Sequence, residues 1–249
     1  MAETNRETTQ LGGSLISSQI VERLLIELRT GCYANAARLP AEVELAAGFQ
    51  VSRTVIRDAL SELEREGLIE RVRGVGTVIN RSVVELEHRL DQKFEYYAMI
   101  RSMGCTPSTD MVQVRQLAAS PVLAADLKLE PSAPVLMIRK RVKADGRPVI
   151  ASVDYVPLEL LRGLDLDTVD FSRPIFDILE ECGVYTVSTV AHVKAVYGTP
   201  LPRQMLELEP SQVLLLLDEV RSTRLCQPVL RSLSYYTDFF DFSILRKKF

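Results

Sequence analysis

Ser52-Arg53-Thr54-Val55-Ile56-Arg57-Asp58-Ala59-Leu60-Ser61-Glu62-Leu63 is the stretch on which the reading of the fold turns. Val55, Ile56, Ala59, Leu60 and Leu63 recur at three- and four-residue spacing, which paints one apolar stripe along a helix. Ser52 stands where an N-cap hydroxyl belongs, and Gly67 supplies a helix stop. Upstream, a short helical segment follows Pro40 and carries Val43, Leu45, Ala46 and Ala47 before Gly48. Before that, Ile16, Ile20, Leu24 and Leu28, with Val21 and Leu25 beside them, predict a helix over 14–30 closed by Gly31. Downstream, strand-like pieces at Leu68 to Glu70 and Thr77 to Asn80 flank Arg71-Val72-Arg73-Gly74-Val75-Gly76, a hairpin with glycines at its tip.

Three helices followed by a hairpin, the second and third helices joined by a tight turn, have the layout of a winged helix-turn-helix whose third helix enters the major groove of duplex DNA. The residue types suit that task. Arg53 and Arg57 are four apart and leave the helix on the face opposite the apolar stripe. A guanidinium can bond guanine O6 and N7 together, a contact that discriminates by about 1–3 kcal/mol. Ser52 and Thr54 sit at the helix N-terminus, where hydroxyls and free backbone N–H groups suit phosphate oxygens. Arg71, Arg73 and Arg81 add positive charge around the hairpin, and Gly74 and Gly76 allow close backbone approach. Glu62, Glu64 and Glu66 cluster at the far end of the helix, so the basic face survives. The other reading of Arg53 and Arg57 is a solvated helix face paired with Asp58 or Glu62.

Composition bounds the rest. At 249 residues the chain is too long for one average domain and short for three. Hydrophobic residues at 47% and charged residues at 25% describe an ordinary globular protein able to bury a sizeable core. The net charge of −3 means that any nucleic-acid-binding surface must be local. No basic apolar leader opens the sequence and no long uncharged apolar run follows, which argues against secretion and membrane spanning and makes the cytoplasm the expectation. Cys32, Cys105, Cys182 and Cys226 lie far apart without a CxxC pair, and only His88 and His192 could join them, so no metal site or cofactor is expected.

Met1 to Gly13 is polar and reads as a disordered arm, residues 14–80 as the winged head, and the charged stretch 81–93 as a linker. Residues 94–249 then form a second domain in which the pattern is mostly strand: Met111 to Leu117, Val135 to Val142, Val149 to Val156, Val184 to Val196, Val213 to Val220 and Val229 to Tyr236. Helices are expected at Pro121 to Leu129 and Pro174 to Cys182, and Asp145-Gly146 marks a hairpin turn. This half repeats itself. Leu127 to Ser132 matches Leu206 to Ser211, and Pro148 to Tyr155 matches Pro228 to Tyr235. Two copies of a helix–hairpin unit could share one antiparallel sheet and leave a cleft where they meet. The fold class is therefore α+β.

Arg38-Leu39-Pro40-Ala41-Glu42, Glu44-Leu45-Ala46, Val51 to Leu60, Leu63 to Ile69 and Gly74-Val75-Gly76-Thr77 together resemble the DNA-binding domain of GntR-type regulators over Ser14 to Asn80. The resemblance implies DNA contacts at Arg38, Ser52, Arg53, Thr54, Arg57 and Gly74, with Arg73 and Gly76 beside them in the wing. Val43 departs from it, since relatives often carry Arg there. Gly104 to Ser108, Leu136 to Arg141, Ala144 to Val149, Asp154 to Pro157 and Ser234 to Tyr236 resemble the HutC branch, whose UTRA sensor domain shares the chorismate-lyase fold. That implies an effector gripped by polar residues on adjacent strands. Arg139 and Arg141 match strand arginines that bind anionic effectors in relatives; being two apart they share a face, with Lys140 facing the other way. The alternative for them is an exposed sheet face with solvated charge. Lys93 and Ser152 stand where relatives carry Ser or Thr and Glu, and Asp154, Tyr155 and Tyr236 could orient a small anion. Cys226-Gln227 replaces the usual Asp-Gly, so that hairpin is expected to be longer or irregular.

The implied function is a repressor, a homodimer on a pseudo-palindromic operator, released when a small anionic metabolite binds the second domain and reorders the region from Arg81 to Phe94. The alternatives are a lyase- or hydrolase-like enzyme with an appended DNA-binding head, and a structural DNA-binding protein without an effector. No catalytic residue is expected, because neither histidine neighbours a nucleophile or carboxylate pair and no Gly-rich phosphate loop precedes a helix.

Overall fold

The computed structural model describes residues 3–92 and 95–247, with side chains from Ile16 onward. The chain forms two compact units, one of residues 1–92 with 242–249 and one of residues 93–241.

The first unit is a helical head with small sheets. Helix α1 (Glu3–Arg29), strand β1 (Arg38–Leu39), helices α2 (Glu42–Phe49) and α3 (Arg53–Arg65), strands β2 (Ile69–Val72) and β3 (Gly76–Ile79), helix α4 (Arg81–Val84) and strand β4 (His88–Arg89) follow one another. The predicted stripes meet in one core: Ile20, Leu24 and Leu28 of α1, Leu45 of α2, and Ile56, Ala59, Leu60 and Leu63 of α3 are all buried together. Ser52 caps α3 as expected, its hydroxyl accepting from Val55 N at 3.3 Å. Helix α2 runs through Gly48 and stops at Gln50, which takes the left-handed turn at φ 57°. The hairpin pairs Val72 with Gly76 at its tip, where Gly74 and Gly76 sit at φ 79° and 107°, angles that a side chain would strain.

Two expected boundaries differ. Residues 3–13, expected as a disordered arm, continue α1; the segment holds no proline, and each residue added to an established helix gains one backbone bond. Residues 81–93, expected as a linker, are folded into the head as far as Gln92. Val83 and Val84 are buried in its core. Arg81, expected near the DNA, turns inward and donates to Leu28 O at 2.7 Å, Ala36 O at 2.8 Å and Tyr33 O. Its guanidinium thereby serves a last-turn carbonyl of α1, Leu28 O, and two carbonyls of the turn that follows.

The second unit contains helix α5 (Tyr96–Ser102), strand β5 (Pro107–Ala118), helix α6 (Pro121–Leu127), strands β6 (Pro134–Ala144) and β7 (Arg147–Pro157), a 3-10 turn (Leu158–Leu161), helix α7 (Ile175–Glu181), strand β8 (Ser188–Val196), helix α8 (Pro200–Leu206) and strands β9 (Leu214–Ser222) and β10 (Pro228–Tyr236). The six strands make one antiparallel sheet in the order β5-β6-β7-β10-β9-β8. That order reads the same from both ends once β5-α6-β6-β7 is equated with β8-α8-β9-β10. The repeat seen in the sequence is therefore a pseudo-two-fold, with the β7–β10 pair as its seam. Both repeat helices open on proline and close on a left-handed residue, Lys128 and Glu207. The pairing is crossed: α6 packs against β10 and α8 against β7. Helix α7 and the 3-10 turn cover part of the other face through Leu161, Ile175, Ile178 and Leu179. Asp145 and Gly146 both have positive φ, as a tight hairpin turn requires, whereas the Cys226 turn leads into a register shift between Pro228 and Leu230.

The chain does not end in the second unit. Strand β11 (Phe242–Ser243) lies parallel to β4 in the head, so the second unit stops at Asp241 rather than at the C-terminus.

Candidate DNA-binding face and effector cavity

Helix α3 presents its polar face to solvent. Arg53 and Arg57 are both more than half exposed, and the nearest acid to each is Glu42 of α2, at 3.8 and 3.4 Å; neither pairs with Asp58 or Glu62. Exposed pairs of this kind contribute about 0–1 kcal/mol, so phosphate or a base edge can displace Glu42. Thr54 is exposed beside them. Ser52 is exposed too, and because its oxygen caps Val55 N its O–H remains able to donate. Arg38 bonds Val75 O at 2.9 Å, which ties β1 to the wing tip where Arg73 is exposed. Arg71 behaves differently: it is locked to Glu64 at 2.9 Å through Nε and to Ser61 Oγ at 3.1 Å, and that pairing holds the Glu64 carboxyl below its usual range. Val43 is an exposed apolar side chain on α2.

In the second unit, the β6 alternation separates the expected effector residues. Leu136, Ile138 and Lys140 face one side of the sheet, Arg139 and Arg141 the other. Arg141 bonds Asp110 at 2.6 and 2.9 Å, Met205 O at 3.1 Å and Glu207 at 2.7 Å, a clamp across β5, β6 and the end of α8. Together with Lys143, 2.7 Å from the same carboxylate, it holds Asp110 down to about 2. The buried Nε of Arg139 has no acceptor among the described residues. Neither arginine lines the cavity on the Lys140 side, and Lys93 lies outside the described residues.

A cavity does open on the Lys140 side, lined by Glu95, Tyr96, Lys140, Asp154, Ile175, Phe176 and Ser232. Register explains the meeting: Lys140 pairs with Ser152, Ile138 with Asp154, and Asp154 with Ser232, so adjacent strands bring these groups to one place. Asp154, 1% exposed, accepts from Ser232 Oγ at 2.6 Å and Ser152 Oγ at 3.2 Å. Lys140, 3% exposed, donates to Arg173 O at 2.6 Å. Burial pushes the Lys140 ammonium below its usual value, a shift opposed by Asp154 and Glu95. Glu95 caps α5 through Tyr97 N and Ala98 N, and Tyr96 OH meets Ser234 Oγ at 2.6 Å. Tyr236 packs edge-on against Tyr96. The free volume is about 10 Å³, room for about one water. Ser152, Asp154 and Tyr236 lie on the face of the sheet that bears this cavity, and Lys140, Glu95, Tyr96 and Ser232, which the sequence pattern did not single out, line it. The repeat held the missing signal for one of them, since Ser232 is the counterpart of Ser152.

Residues 16–79 match the profile of bacterial regulatory proteins of the gntR family, and residues 102–238 match the UTRA domain. The chain is a GntR-family transcription regulator with a UTRA domain. Similar proteins include the uncharacterized HTH-type transcriptional regulator YurK of Bacillus subtilis, 26% identical, with 86% of this chain aligned to 88% of that one. The HTH-type transcriptional repressor NagR of the same organism is 28% identical over 78% of this chain and 72% of its own length. The crystal structure of PhnF from Mycobacterium smegmatis superimposes with a TM-score of 0.60 at 25% identity, covering 93% of this chain and 99% of that one. The family regulates transcription and is not one of enzymes, so the lyase or hydrolase alternative falls away. Among the described residues of the regulator no helix is long and apolar enough to cross a membrane.

Proposed function

We propose that this regulator is a cytoplasmic repressor of the HutC branch, which holds its operator through α3 and the wing and releases it when a small anionic molecule enters the cavity beside Lys140. The contacts assigned to DNA are Arg38, Ser52, Arg53, Thr54, Arg57 and Arg73, with Gly74 and Gly76 letting the wing backbone approach. The observation that carries the effector reading is the buried ammonium of Lys140: it has three donors, and Arg173 O accepts from it once. A carboxylate or phosphate would use the others. Asp154 and Glu95 on the same wall favour hydroxyl or amine groups elsewhere on that molecule. Arg139 and Arg141 are removed from the effector set in favour of Lys140, Ser152, Asp154, Ser232 and Tyr96.

A ligand of several heavy atoms exceeds the present space, so entry must displace the Pro174–Phe176 wall or Glu95 and Tyr96. The latter open α5, the first element after the chain leaves the head, which gives binding a route to the DNA-binding unit. A second copy completes the regulator. Strand β8 is one edge of the sheet, exposed on both faces from Ser188 to Ala195, and an antiparallel partner strand is self-complementary to its unpaired backbone groups.

The test uses the duplex that the wild-type chain selects from a randomised pool, together with a panel of inorganic phosphate, sugar phosphates and hydroxy acids in a thermal-shift assay. A member of the panel is expected to raise the melting temperature and release the duplex. Lys140→Met is expected to lose that response while still binding DNA; a Lys140→Met chain that responds like wild type moves the effector elsewhere.

A further inference from the structure

We propose that the C-terminal segment of the chain is a positioning element for the recognition helix, with Lys247 as its key residue; the proposal rests on α3 being the DNA reader. The carbonyls at the end of a helix lack partners within it, and at α3 each one can be traced. Glu62 O receives Glu66 N, and Leu63 O receives Leu68 N. Glu64 O receives Gly67 N at 3.0 Å and, in addition, the Lys247 ammonium at 2.6 Å, and Arg65 O receives the same ammonium at 3.0 Å. Glu66 O receives Arg89 Nη1 at 2.8 Å. Two cations therefore sit against the negative end of the helix dipole, where they stabilise it.

The segments that supply them are joined to each other. Phe242 and Ser243 pair with His88 and Arg89, Leu90 N donates to Ser243 O at 2.8 Å, and the Phe242 ring lies edge-on to His88. Leu245 packs into the head core beside Gly67, where no room remains for a Cβ. Arg89 is itself buried and held by Asp91, and Gln92 bonds the Glu66 carboxylate at 3.2 Å. These two segments are also the covalent crossings between the units, one ending at Gln92 and the other beginning at Phe242. Both attachments of the second unit thus run directly into the groups that cap α3. The helix that reads bases is fixed at its N-terminus by Ser52 and at its C-terminus by residues from the far end of the chain.

The experiment measures binding of full-length Lys247→Met to the duplex selected by the wild-type chain and to a scrambled duplex. Amide hydrogen exchange at 60–68 is followed alongside. Methionine keeps the apolar stem and removes the donors. Affinity for the selected duplex is expected to fall about threefold to tenfold, the cost of one cation at a helix end. Binding to the scrambled duplex should hold, and exchange should rise at 60–68 but not in β6, β7 or β10. Lys247→Arg, which retains donors, is expected to restore both. A discrimination ratio within twofold of wild type overturns the proposal, and so does equal loss on both duplexes with a fall in melting temperature, which would mean a general structural role. Arg57→Ala run beside it separates the two ideas: if Arg57→Ala keeps full discrimination, α3 is not the reader; if it loses discrimination while Lys247→Met does not, only the positioning role fails.

Discussion

Arg141→Ala distinguishes the two roles that β6 arginines can play. In the structure this side chain clamps Asp110, Glu207 and Met205 O on the side of the sheet away from the cavity, so its removal should cost stability and spare ligand response. The size follows from its partner. A fall of the Asp110 pKa from 3.8 to about 2 is worth roughly 2.5 kcal/mol before screening, an upper bound for Arg141 because Lys143, 2.7 Å from the same carboxylate, shares it. A third of the Asp110 side chain is exposed, which reduces this to about 1 kcal/mol. The folded-state pKa is depressed, so the contribution is full above the unfolded value of about 3.9 and is lost as pH falls through about 2. Urea unfolding of wild type, Arg141→Ala, Asp110→Asn and the double variant at pH 7, 5 and 3 reads the coupling. It should be constant between pH 7 and 5 and shrink at pH 3. A coupling near zero at pH 7, or a variant of wild-type stability that no longer responds to any ligand, would refute the reasoning and return Arg141 to the effector site.

Arg81→Ala should destabilise the head by about 2–4 kcal/mol, because Leu28 O of α1 and the Tyr33 and Ala36 carbonyls of the following turn lose a charged donor at once; calorimetry on the full chain should show one transition fall and the other stay. Val190→Lys with Val193→Lys places charge on both faces of the β8 edge and should convert a dimer to a monomer by light scattering, with operator affinity falling as the second half-site contact is lost. Arg57→Ala should lose about 1–3 kcal/mol of discrimination in competition binding between the selected and scrambled duplexes, with the circular dichroism of the head unchanged.

The head was legible because its signals are local. A stripe such as Ile56, Leu60 and Leu63, a cap such as Ser52 and two glycines at a turn each act within a few residues. The sheet was legible because the repeat doubled every signal, and the paired matches pointed to one shared sheet with a central cleft. The cavity was less so. Alternation says that Arg139 and Arg141 share a face and that Lys140 does not, but nothing local says which face is enclosed; helices distant in sequence decide that. The boundary at 81–93 was misread for a similar reason. Arg81 and Arg89 look like charged filler until the carbonyls of α1 and α3 are placed beside them, and Val83 and Val84 are too short a run to announce the core they enter. Strand β11 is two residues long and has no pattern of its own; its partner is separated from it by the whole second unit.

The crossed packing of α6 on β10 and α8 on β7 has a consequence for how such a cavity can specialise. Neither half is self-sufficient, so the pair behaves as a fused homodimer, and a pocket on its seam begins with every group present twice. Mirror-matched walls suit only a symmetric guest. Ser152 and Ser232 keep the match between the copies, whereas Asp154 and its counterpart Ser234 break it, and an inequality of this kind is what a pocket needs to tell one end of a lopsided molecule from the other.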